Sequence, residues 1–172
     1  MNFLRVPGLA TALLLATTSS FAAVNYVPSG SMLPTVQLGS LLAVNKLSYG
    51  LRIPLTQLHL TAGEQPVRGD MATFTPLGSR FATHVKRIVA VPGDSVRILN
   101  GILSVNGQVV SAAPALGLQD NFWVIGAGEV FMAGDNAGNS NDSRLWGPLP
   151  ISRLTGKVVG VLNTFDRHQT AE

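Results

Sequence analysis

The chain has 172 residues, 46% of them hydrophobic, which supplies the core of one compact domain and too little for two. Only 12% are charged, the net charge is +3 and Lys86-Arg87 is the one adjacent basic pair, so the clustered cations of a nucleic-acid surface are missing. With no cysteine, disulfides, thiolate catalysis and cysteine-ligated zinc are excluded, while the redox compartment stays open.

The first 23 residues, MNFLRVPGLATALLLATTSSFAA, stand apart. Arg5 precedes an apolar run from Val6 to Ala16, and Ser20 and Ala22 fall at the −3 and −1 positions of a small-residue cleavage site, as in a secretory signal peptide. The same stretch from Phe3 to Ala23 has about the length a bilayer core requires, so a single membrane anchor is the alternative and the one adopted here. Arg5 keeps the short end cytoplasmic in either case, which sends the remaining chain across the membrane.

Residues 24–163 read as a mainly β domain, with short β-branched and aromatic runs separated by Gly, Pro and Asn turn signals and no long helical period. In chain order the expected strands are Ala22 to Val27, Leu41 to Leu47, Met71 to Phe74, Phe81 to Ala90 and Ser95 to Leu99. Ile102 to Val105, Gln108 to Val110, Trp123 to Ile125, Val130 to Ala133 and Lys157 to Asn163 follow. Asn106-Gly107 predicts a two-residue hairpin turn, because both positions of such a turn need positive φ. VRGD at 67–70 and VPGD at 91–94 are ordinary turn signals, residues 111–121 a surface excursion and residues 164–172 a polar tail.

The polar candidates for chemistry are Ser29, Ser31, Asp70, His84, Lys86, Asp94, the cluster GDNAGNSNDSR at 134–144, and His59 and His168. The histidines have no ligand spacing and the acidic cluster lacks the spacing of a calcium loop, so neither a metal nor another cofactor is expected. On a strand, His84, Lys86 and Ile88 share one face, and a lysine flanked by Val85, Ile88 and Val89 is a candidate for burial. Burial lowers a lysine pKa and leaves neutral amine to act as a base; an edge strand would instead let the side chain reach solvent. For Ser29 and Ser31, in YVPSGSMLPTV, the residues alone allow a turn built on Pro28, Gly30 and Pro34 as readily as a nucleophile.

The string of motifs resembles the type I signal peptidases, membrane-anchored Ser/Lys endopeptidases. It comprises PSGSMLPT at 28–35, VNKLSYGLRIP at 44–54, RGD at 68–70, HVKRIVAVPGD at 84–94 and GDNAGNSNDSRLWGPLP at 134–150. The resemblance implies a coiled, barrel-like β fold, Ser31 as nucleophile and Lys86 as general base, and an oxyanion hole from the Ser29 hydroxyl and the Ser31 N–H. It further implies that Ser140 orients the lysine amine, that Asp135, Asp142 and Arg144 are ion-paired supports of the closing loop, and that Val27, Met32, Val36 and Val85 lie near the substrate groove.

The implied activity is removal of signal peptides after small residues of Ala-x-Ala type, by a single-pass enzyme with its catalytic domain on the outer side of the bacterial cytoplasmic membrane. The implied partners are preproteins and membrane lipid. A dedicated peptidase that processes or cyclises a conjugation pilin is the alternative within the same chemistry, and an inactive β binding module the alternative outside it. Two departures stand out. Ala137-Gly138 replaces the Arg-Asp pair common after GDN, and His84 stands where an aromatic is frequent.

Overall fold

The computed structural model describes residues 21–50, 61, 63–79, 82–111 and 118–162. The apolar opening, His59, His168 and the polar tail lie outside them. Eleven strands occur among the described residues: β1 (Ala22–Tyr26), β2 (Leu41–Asn45), β3 (Met71–Phe74), β4 (His84–Ala90), β5 (Ser95–Leu99), β6 (Ile102–Val105), β7 (Gln108–Ser111), β8 (Asn121–Val124), β9 (Glu129–Ala133), β10 (Leu149–Pro150) and β11 (Leu154–Leu162). One helical turn, α1 (Ser143–Trp146), and two 3-10 turns, Ala137–Asn139 and Ile151–Arg153, complete the set.

The strands form a seven-stranded sheet in the order β1-β2-β11-β3-β4-β9-β10 and a four-stranded sheet in the order β7-β6-β5-β8, with every pairing antiparallel. The mainly β expectation is met, and ten expected strands have counterparts. β1 starts at Ala22 as expected, with Ala22 and Ala23 paired to Asn45 and Val44, and two other boundaries move. β4 starts at His84 rather than Phe81, and β11 starts three residues before Lys157 because Leu154 pairs with Phe74. β10 was not foreseen, since Pro150 argues against a strand and only a two-residue pairing with Val130 and Glu129 survives at the sheet edge.

The expected hairpin forms, with Asn106 at φ 51° and Gly107 at φ 80° joining β6 to β7. Asp94 holds the turn at 91–94 by accepting from the Val91 N–H at 2.9 Å while its own N–H donates to the Val91 carbonyl at 3.0 Å. Arg68, from the turn at 67–70, ion-pairs with the same carboxylate, tying the two sheets' connections together.

Apolar side chains collect in three clusters. Val96, Ile98, Leu103 and Val105 of the small sheet pack on Val89, Ala90, Phe131 and Ala133 of the large one. Phe74, Ile88, Val130, Met132, Leu149 and Leu154 fill the second. The third, Val27, Met32, Val36, Leu42, Val44 and Val158, lies under the β1–β2 connection that carries both candidate serines. Two consequences fix the site. β4 is flanked by β3 and β9, so Lys86 lies on a central strand, not an edge. Fully buried Met32 and Val36 anchor the 27–40 loop, and burial of side chains of this size contributes about 1.5–3 kcal/mol each.

Candidate active site

Ser31 sits in a tight run of turns. The Leu33 N–H donates to the Gly30 carbonyl at 3.2 Å and the Val36 N–H to the Met32 carbonyl at 2.9 Å. The Val27 and Gly39 amides close the base of the loop on Ser40 and Val27. The hydroxyl is thereby carried over β4, where Lys86 Nζ lies 2.6 Å from Ser31 Oγ and donates at 3.1 Å to the Val85 carbonyl. Lys86 is 4% exposed. Burial holds its pKa below the ordinary lysine value, and Arg144 adds to that; the Asp142 and Asp135 charges oppose it without reversing it.

Ser29 is solvent-exposed, with its Oγ 3.5 Å from Ser31 Oγ. The Ser31 N–H donates to no backbone carbonyl among the described residues. Ser29 and Ser31 both line a cleft of about 300 Å³, together with Asn25 to Pro28, Leu42, Thr73 and Thr83 to Lys86. Val27 and Val85 line that cleft, while Met32 and Val36 are wholly buried in the cluster that contains Val27.

The closing loop is held by two ion pairs. Asp142 accepts from Arg144 Nη2 at 2.6 Å and Nε at 2.9 Å, and from the Gly134 N–H at 2.8 Å, with both side chains buried. Burial pushes the Asp142 carboxyl up, but the Arg144 and Gly134 donors outweigh it and the pKa falls below the usual carboxylate range. Asp135 pairs with a residue the sequence reading did not assign. Arg87 grips it through Nε at 2.8 Å and Nη2 at 2.7 Å, while Nη1 donates to the Gly69 carbonyl at 2.6 Å. Alternation on β4 was the available signal, since it places Arg87 on the face opposite Lys86. Its partner, 48 residues away, was not legible.

Ser140 Oγ is buried without a hydrogen-bond partner among the described residues and packs against Gly134, where any Cβ would collide with it and with the Ser31 carbonyl. The acceptor that positions the resting amine is the Val85 carbonyl, supplied by Lys86's own strand. His84 is exposed at the cleft rim with its ring edge-on to Phe74 at 5.8 Å, and burial together with the Lys86 charge disfavours its protonation. Asp70 bonds Lys157 at 2.8 Å and Asp94 bonds Arg68, so both are structural. No cluster of metal-ligating side chains occurs among the described residues.

A hydroxyl with a buried amine against it beside an open cleft is an arrangement that can carry out nucleophilic acyl transfer. The family model described as "Signal peptidase, peptidase S26" matches residues 1–162, and the chain belongs to that family. The signal peptidase I of Pseudomonas fluorescens is 33% identical over 177 residues, covering 78% of this chain and 62% of that protein. A Synechocystis sp. protein named "Probable signal peptidase I-1" is 35% identical over 176 residues, covering 90% of this chain and 79% of its own. The chain thus spans about 62% of the Pseudomonas relative. A crystal structure of a signal peptidase I from Enterococcus faecalis overlays 55% of this chain and 97% of its own with TM-score 0.44 and 23% identity. No helix among the described residues is long and apolar enough to cross a membrane, and the apolar segment lies outside them.

Proposed function

We propose that this chain is a serine endopeptidase that removes N-terminal signal peptides from exported preproteins, with Ser31 as nucleophile and Lys86 as general base. The observation that carries the reading is the 2.6 Å approach of Lys86 Nζ to Ser31 Oγ inside a site that keeps the lysine buried. With the amine neutral, the Ser31 O–H donates to Nζ and Oγ attacks the scissile carbonyl as the proton moves to nitrogen. The developing oxyanion is received by the Ser31 N–H and the Ser29 hydroxyl. Lys86 then protonates the leaving amine, and water attacks the Ser31 ester by the same base. Ser140 keeps its proposed role of orienting the lysine amine once Lys86 has gained its proton.

Substrate would lie extended beside β1, whose outer edge is unpaired among the described residues and whose residues Asn25 and Tyr26 line the cleft. Shallow apolar walls from Val27, Leu42 and Val85 suit Ala at −1 and −3 and exclude bulk. The apolar opening is proposed as an anchor that holds the domain at the outer face of the cytoplasmic membrane, where the bonds to be cut emerge.

The test is cleavage of a preprotein ending its signal peptide in Ala-x-Ala by the purified full chain, read by intact mass. A product cut after the −1 Ala is expected, with loss of cutting when that Ala is replaced by Phe. An intact preprotein, or indifference to the −1 residue, contradicts the reading.

A further inference from the structure

We propose that Asn136 is a positioning residue for the oxyanion hole, a role that rests on the Ser31/Lys86 reading and extends it to a side chain outside the reacting groups. Asn136 lies in the loop after β9 and bonds the nucleophile segment twice. Its Nδ2–H donates to the Gly30 carbonyl at 3.0 Å, and its backbone N–H donates to the Ser31 carbonyl at 3.1 Å.

The first of these bonds controls the oxyanion donor. The Gly30 carbonyl and the Ser31 N–H belong to one planar trans peptide, in which C=O and N–H point in opposite directions. Holding the oxygen on the Asn136 side therefore turns the Ser31 N–H away from that loop, and this N–H donates to no backbone carbonyl among the described residues. An external clamp matters at this position because residue 30 is glycine, whose φ and ψ tolerate rotation of the adjoining peptide plane. Among the described residues the one backbone donor to the Gly30 carbonyl is the Leu33 N–H at 3.2 Å, from within the same turn, so it moves with the turn and cannot fix it to the sheet. Asn136 supplies that fixed reference, since its loop is tied down by the Asp135–Arg87 and Asp142–Gly134 bonds. Gly134 closes the contact by leaving space for the Ser31 carbonyl where any Cβ would collide.

The experiment compares Asn136→Ala and Asn136→Asp with the unaltered full chain on the same Ala-x-Ala preprotein. The expected result is a fall of kcat of about 10- to 100-fold, below the full loss of an oxyanion donor because the N–H is misdirected rather than removed. In Asn136→Ala, KM and the acidic limb of the pH–rate profile stay in place, because Lys86 keeps both of its partners; Asn136→Asp adds a carboxylate beside Asp135 and is read on kcat at the plateau. Asn136→Asp is no better than Ala, since a carboxylate keeps the shape but offers no donor to the Gly30 carbonyl. Combined with Ser29→Ala, Asn136→Ala costs less than the product of the two single losses, as expected for groups serving one oxyanion. A kcat within twofold of the unaltered chain, an acidic limb displaced in Asn136→Ala or a multiplicative double variant overturns the role. Ser31→Ala, assayed alongside, separates the two readings. If it is inactive while Asn136→Ala is unaffected, only the Asn136 role falls; if it cleaves normally, the dyad itself is wrong.

Discussion

Lys86→Met and Lys86→Arg should both abolish cleavage, with single-turnover rates lower by about 10³- to 10⁶-fold and the fold retained. Methionine keeps the length and packing of the stem and removes the base. Arginine keeps the charge and hydrogen-bonding capacity, yet a guanidinium does not give up its proton at any pH the protein survives. If Lys86 served only to hold Ser31 by a charged hydrogen bond, arginine would preserve measurable turnover. The two variants therefore separate proton transfer from positioning.

The pH profile follows from the same residue. Only neutral Lys86 accepts the Ser31 proton, so the rate rises with pH through the lysine pKa. Burial lowers that pKa, and the acidic limb should lie below the ordinary lysine range. The charges acting on Lys86 are Asp142, Arg144 and Asp135, so His84→Gln should leave the limb in place. A limb that moves in that variant would give His84 a role it lacks here.

Asp142→Asn should be the most damaging single change to stability, at about 3–5 kcal/mol, because it leaves the Arg144 guanidinium buried and uncompensated. That side chain is 2% exposed and makes two of its bonds to Asp142. Asp142→Leu combined with Arg144→Met should recover much of the loss, since removing both charges removes the desolvation cost as well. Asp142 has a lower pKa folded than unfolded, so its contribution is present above the ordinary carboxyl range and disappears as pH falls through the folded value. Urea unfolding from neutral to acid pH should therefore show a steeper loss in the unaltered chain than in Asp142→Asn. Equal slopes would mean that the pair adds nothing.

Local chemistry was legible in the sequence and long-range pairing was not. The Asn106-Gly107 hairpin and the turns at 67–70 and 91–94 follow from residues that favour those dihedrals regardless of context. Alternation on β4 placed Lys86 and Ile88 on one face, and both are buried. Whether that strand was central or at an edge could not be read from it, because this depends on β3 and β9, the latter some forty residues further along. Met32 and Val36, spaced four apart within a tight turn, both lie in the core and anchor the loop that carries Ser31. Arg87 and Asn136 were given no individual role because their partners come from distant loops, and neither residue type announces a role alone.

The central claim is that Lys86 is a lysine kept neutral to take the proton of Ser31. The most direct measurement is the titration of its side chain by NMR, with labelled lysine and Lys86→Met used to assign the signal, beside kcat/KM over the same pH range. The account predicts a Lys86 midpoint well below that of the exposed lysines and coincident with the acidic limb of cleavage. A midpoint in the ordinary lysine range, or an acidic limb that does not follow it, would contradict the account.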